Sequence, residues 1–168
     1  MQGPAENPLW TFSLVVYAEQ GVQEECLALQ ERFALDVNLL LLCAYAGVQG
    51  VMLSDIDVAA AAEAVAGWHA QVVRPLRQAR RALKPVVRDD AAALRAQVKG
   101  VELKAEQIEQ AMLWSWWQER RAGASADPHA ALSENVRRLL DHSGADRAEP
   151  ARKAPNLLRA ALRYTAEN

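Results

Sequence analysis

The sequence predicts an all-α fold: a single compact bundle of about six or seven helices, with one long helix over about residues 90–121. Three observations carry this. Alanine and leucine dominate and β-branched residues are sparse outside scattered valines, and alanine and straight-chain side chains lose least on entering a helix. Apolar residues recur at steps of three and four, with no long strand-like alternation. Capping residues, prolines and glycines punctuate the chain where helices should start and stop.

Taken in order, Asn7-Pro8 reads as a helix start. The first helix carries Trp10, Leu14 and Tyr17, and Gly21 ends it. Val22, Cys26, Leu29 and Phe33 form the apolar stripe of a second helix. Asp36 caps a third, VNLLLLCAYAG, which Gly47 should terminate. This helix is apolar nearly all round, so residues 37–46 should be central and buried. Ser54 or Asp55 begins a long stretch to Lys84, which Pro75 should kink or divide. Asp89 and Asp90 cap the long helix, where Gly100 suggests a bend or a close crossing. Asp127-Pro128 starts another helix, over residues 130–142, followed by Gly144. Residues 1–143 then form one helical domain. Residues 144–168 read as a polar linker and a short, loosely docked last helix.

Net charge is −2, which gives no global pointer to nucleic acid. The distribution is uneven. Residues 1–71 hold nine acids against Arg32 alone, and residues 72–168 hold 12 acids and 18 bases. Either the helices attract one another through their charged faces, or a basic surface awaits an anionic partner. Cys26 and Cys43 lie in apolar helical segments and read as small buried hydrophobes. No charged-then-apolar leader opens the chain, so a cytoplasmic location is expected. The apolar run over residues 37–48 is broken by Asn38 and is too short to span a bilayer.

Three constellations stand out. In WHAQVVRPLRQARRALK, Arg74, Arg77, Arg80, Arg81 and Lys84 share one side of a helix over residues 72–84. Such a basic amphipathic helix binds acidic partners, nucleic acid or anionic lipid, unless its arginines pair internally with acids such as Glu102, Glu106 and Glu109. In LWSWWQERR, Trp116 continues the stripe Val101, Ala105, Ile108 and Met112 and should be core. Trp114 and Trp117, with Arg120 and Arg121, suit an interface. The amide of Asn38, with Leu41, Leu42 and Tyr45 one turn on, should be buried and needs partners. It marks a candidate pocket with Tyr45, Trp68 and His69.

No catalytic or metal motif is visible. His69, His129 and His142 are scattered, none at ligand spacing with another His, Cys or carboxylate, so no cofactor is implied. The leading expectation is a non-catalytic interaction or regulatory protein with a protein partner. A small-molecule or enzymatic pocket and peripheral binding to anionic lipid are the alternatives.

Several segments carry a resemblance. They are Trp10-x-Phe12-Ser13-Leu14-x-x-Tyr17, Gly21-Val22, Cys26-Leu27-x-Leu29-Gln30, Leu35-Asp36-Val37-Asn38-Leu39-Leu40-Leu41, Trp68, Arg74-Pro75-Leu76-Arg77 and Arg80-Arg81-x-Leu83-Lys84. Over most of residues 10–120 the chain resembles an uncharacterised family of Pseudomonas, Vibrio and other proteobacteria, catalogued as a domain of unknown function. The resemblance implies a cytoplasmic bacterial protein and transfers no activity.

Overall fold

A computed structural model describes residues 6–120, 126–145 and 154–167. The helices are α1 (Pro8–Ala18), α2 (Val22–Phe33), α3 (Val37–Val48), α4 (Asp55–Trp68), α5 (Arg74–Leu83), α6 (Asp89–Glu119), α7 (Pro128–His142) and α8 (Pro155–Glu167). A π-helical turn, His69–Val73, joins α4 to α5 without a break. Counting that rod once gives seven helical rods, and the described residues contain no sheet.

Local chemistry sets most of the helix starts. The Asn7 side chain accepts the Trp10 N–H, and Pro8 follows at the first helical position. Asp36 accepts the N–H groups of Asn38 and Leu39. Ser54 and Asp57 form a reciprocal capping box at α4. Asp127 accepts the Ala130 N–H at α7. For α8 the cap comes from another helix: the Glu25 carboxylate on α2 accepts the N–H groups of Asn156 and Leu157. On α6, Arg88 stands at the cap position without a side-chain cap, and Asp89 and Asp90 lie in the first turn, where the helix dipole favours them.

Helix α3 is the centre of the molecule. Every residue from Asn38 to Val48 is buried, and α1, α2, α4, α6, α7 and α8 all pack against it. Its closest neighbour is α7, which presents Ala131, Leu132, Val136, Leu139 and Leu140. Gly47 makes that approach possible. It lies inside α3 and does not end it, and a Cβ there would fall 2.3 Å from the Leu132 Cα. The turn after α3 uses Gly50, at φ 72°.

The fold departs from the sequence expectation in further places. Gly100 marks no close crossing, since a Cβ there would meet nothing within 4 Å, and α6 runs on through it. Val101 and Ile108 are exposed, not core. The first half of α6 pairs chiefly with α5, which has no buried residue, and the two run beyond the main core. At the other end α8 is seated firmly, with Leu157, Ala160 and Ala161 buried in the shared core. The expected polar linker falls mostly outside the described residues. No described helix is long and apolar enough to cross a membrane.

Candidate functional site

Pro75 has no N–H to give to the carbonyl of Gln71, and its ring would crowd that carbonyl in a regular helix. The chain answers with the π turn just before it, where the Arg74 N–H reaches back five residues to the His69 carbonyl. This wide turn stands against α6. At its start, two consecutive side chains grip α6 at consecutive turns. Trp68 Nε1 donates to the Ala105 carbonyl at 2.9 Å, and His69 Nδ1 lies 2.9 Å from Glu109 Oε1.

Around His69 a polar cluster crosses three helices. Glu109 Oε2 accepts from Asn38 Nδ2 at 2.6 Å, and Asn38 Oδ1 accepts from Gln110 Nε2 at 3.0 Å. Asp36 Oδ1 accepts the backbone N–H groups that begin α3, and Asp36 Oδ2 lies 3.4 Å from His69 Nδ1. The Glu109 side chain is 0% exposed. Burial, then repulsion from Glu109, pushes the Asp36 carboxyl up to about 6. Burial acts to lower the His69 pKa, but the hydrogen bond to Glu109 and the charges of Asp36 and Glu109 outweigh it and raise it. One oxygen each of Asp36 and Glu109 and one nitrogen of His69 lie within 4.8 Å of one another.

His69 also faces a groove of about 180 Å³ between α2 and α5. Its rim carries Gln30 and Glu31 from one side and Arg74, Arg77 and Arg81 from the other. Arg77 turns away to α6, pairing with Glu102 and Glu106 at 3.3 and 2.8 Å. Arg81 keeps a looser pair with Glu31 at 3.6 Å. Arg74 is exposed and takes part in no ion pair among the described residues. A second cleft, of about 380 Å³, lies between the start of α4 and the end of α7. Its cations are engaged: Arg137 binds Glu134 and Asp141, and Arg138 binds Glu134 and the Leu53 carbonyl.

The residues singled out from the sequence thus part company. Asn38 and His69 meet through Glu109, with Trp68 alongside. Tyr45 belongs elsewhere: its ring packs edge-on against Phe12, Trp114 and Trp117, at centroid distances of 5.4, 5.9 and 5.9 Å. Trp114, Trp116 and Trp117 are all partly buried against the main core. Arg120 is bound to Asp57 through both Nε and Nη2, and Arg121 lies outside the described residues. On the basic helix, Arg80 is bound to Glu102, while Lys84 is exposed. Sequence reading saw Glu109 only as an ion-pair partner for the arginines and Asp36 only as a cap, and it missed Gln110. The signal available was weak, a buried amide at Asn38 that needed polar partners.

Residues 8–113 match a family described as a protein of unknown function, DUF2390. The chain belongs to the DUF2390 family. All five residues of the polar cluster fall inside the DUF2390 match, whereas α7 and α8 lie beyond it. No curated protein and no solved structure matches the chain.

Proposed function

We propose that this DUF2390 protein is a helical binding domain for a small oxyanion-bearing molecule, a carboxylate or a phosphate, held in the groove between α2 and α5. The observation that carries this reading is Arg74. It is an exposed guanidinium without an ion pair among the described residues, on the rim of a concave surface with His69 at its side. Planar guanidinium groups suit oxyanions because they offer paired donors in a fixed fork. Arg81, which is loosely tied to Glu31, supplies a second cation without breaking a strong contact.

The broader basic-face reading has less to work with. Arg77 and Arg80 are committed to the acids of α6, and Trp114 and Trp117 to Tyr45. What faces outward is a small patch, better matched to a small anion than to an extended partner.

Calorimetric titration with inorganic phosphate and with a short dicarboxylate tests the proposal. Saturable binding to wild type, weakened at least tenfold in Arg74→Glu/Arg81→Glu, is the expected result. No binding of either anion, or equal affinity in the double variant, overturns it. Titrations at rising salt should show affinity falling steadily, as expected for a solvent-accessible charge contact.

A further inference from the structure

The geometry of Asp36, His69 and Glu109 poses a problem of charge and of protons. Two carboxylate oxygens, Glu109 Oε1 and Asp36 Oδ2, face the same nitrogen, His69 Nδ1, at 2.9 and 3.4 Å. That nitrogen carries at most one proton and so serves one acceptor well. No lysine or arginine among the described residues pairs with either acid. Arg77, the nearby candidate, is held by Glu102 and Glu106. With His69 protonated the cluster still keeps a net negative charge, and an uncompensated buried charge is costly.

The outer oxygens tell the other half. Glu109 Oε2 is fixed by the Asn38 amide, which Gln110 orients in turn, and Asp36 Oδ1 is fixed by two backbone N–H groups. Each carboxylate therefore has one oxygen anchored and one aimed inward. Hydrogen-bonded outer atoms around convergent inner ones are the usual support of metal ligands. The two nitrogen-to-oxygen spacings fit as well, and the two oxygens lie within 4.8 Å of each other. Ligand atoms about 2.1 Å from a metal lie ~3.0 Å apart in octahedral and ~3.4 Å apart in tetrahedral arrangements.

We propose that Asp36 Oδ2, His69 Nδ1 and Glu109 Oε1 bind one divalent first-row cation, Zn²⁺, Mn²⁺ or Fe²⁺. The mixed imidazole and carboxylate donor set suits these ions. Two carboxylates and one divalent ion neutralise each other, which removes the charge problem. Three protein ligands leave the remaining positions to water. Binding displaces the proton from His69 Nδ1, so Nε2 carries the ring proton. The proposal stands apart from the anion reading of the groove, and each can fail alone.

The test uses the full chain, stripped with chelator and titrated with Zn²⁺ or Mn²⁺ alone, and with Fe²⁺ under anaerobic conditions. One-to-one saturable binding of at least one of the three is expected. Glu109→Gln and His69→Gln should each weaken it at least 100-fold, and Asn38→Ala about 10–100-fold through lost orientation of Glu109. Arg74→Gln/Arg81→Gln, which removes the rim cations without adding acids, should leave the one-to-one metal binding in place. Mn²⁺ also locates the site in wild type, without dependence on any variant's folding: the imidazole NMR signals of His69 should broaden before those of His129 and His142. Absence of one-to-one binding for all three metals overturns the proposal. So does unchanged affinity in Glu109→Gln, or broadening centred on His129 or His142.

Discussion

Asn135 on α7 closes the loop between α3 and α4 by holding Leu53: the Leu53 N–H donates to Asn135 Oδ1 at 2.7 Å. The same fully buried amide donates to the carbonyls of Cys43 and Val51, at 3.2 and 2.8 Å. One side chain thereby ties three backbone groups of α3 and the turn after it to α7. Replacing it with leucine removes all three hydrogen bonds, and a buried backbone group of the turn left without its partner costs about 1–3 kcal/mol. Asn135→Leu should therefore lose about 3–5 kcal/mol of stability, read from chemical denaturation midpoints. A loss below about 1 kcal/mol would mean that water reaches the loop.

The contact of Gly47 with Leu132 leaves no room for a methyl group. Gly47→Ala must push α7 away from α3 along the largest helix interface in the bundle. Overpacking of this kind costs about 1–3 kcal/mol, and here it should exceed the helix-propensity gain of about 1 kcal/mol from replacing glycine. Denaturant unfolding should show net destabilisation. Gly100→Ala is the internal control: with open space around it, the same change should stabilise.

The pair of Asp57 with Arg120 should govern part of the acid sensitivity. The Arg120 guanidinium, followed by the Ser54 N–H and hydroxyl, holds the Asp57 carboxyl far below the usual carboxylate range. A carboxyl depressed on folding contributes stability above its unfolded pKa of about 3.9, and that contribution fades as pH falls towards the folded value. Asp55 and Arg138, 3.8 Å apart, stand beside Asp57, with Arg137 and Asp141 across the cleft at this end of α4. Both members of the Asp57 pair are mostly buried, so about 1–2 kcal/mol is expected. The stability gap between wild type and Arg120→Met should be constant above about pH 5 and narrow below about pH 4.

Glu25 carries the start of α8 from a distance of some 130 residues along the chain. Glu25→Ala should remove a cap, a change of about 1 kcal/mol. Hydrogen exchange should show it locally: amides in the first turn of α8 lose protection while those of α3 keep theirs.

Much of this architecture was legible because its causes are local. Asn7, Asp36, Ser54 and Asp127 cap helices through side chains that reach two or three residues along the chain. An all-round apolar segment has nowhere to go but the centre, and α3 went there. Elements fixed by distant partners were less readable. Glu109 resembles its neighbours Glu102 and Glu106 on a long polar helix, and only the crossing of α3 and the π turn makes it the one that is wholly enclosed. Asn135 left a usable trace, since it interrupts the apolar stripe Leu132, Val136, Leu139 at a core position. Val101 and Ile108 misled for the opposite reason: their spacing is that of a buried stripe, but α6 buries the face carrying Glu102, Ala105, Glu109 and Leu113 and leaves these two outside it. The charge asymmetry found use in Glu19–Arg163, Glu31–Arg81 and Asp57–Arg120. The strongest arginine contacts of α5, however, are with acids of its own half of the chain.

The π turn at His69–Val73 also acts as a phase shifter. A π turn holds one residue more than the α-turn it replaces, and each helical residue advances the rod by about 100°. Upstream of it, Trp68 and His69 point at α6. Downstream, Arg77 and Arg80 point at the same helix, at Glu102 and Glu106. Deleting one residue here would leave the phase as it is, whereas regularising the rod with every residue kept would rotate everything after it by that angle. His69 and the two arginines could then no longer face α6 together. The irregularity is what lets a single rod address one neighbour with two different chemistries, an imidazole among acids and a ladder of guanidinium groups.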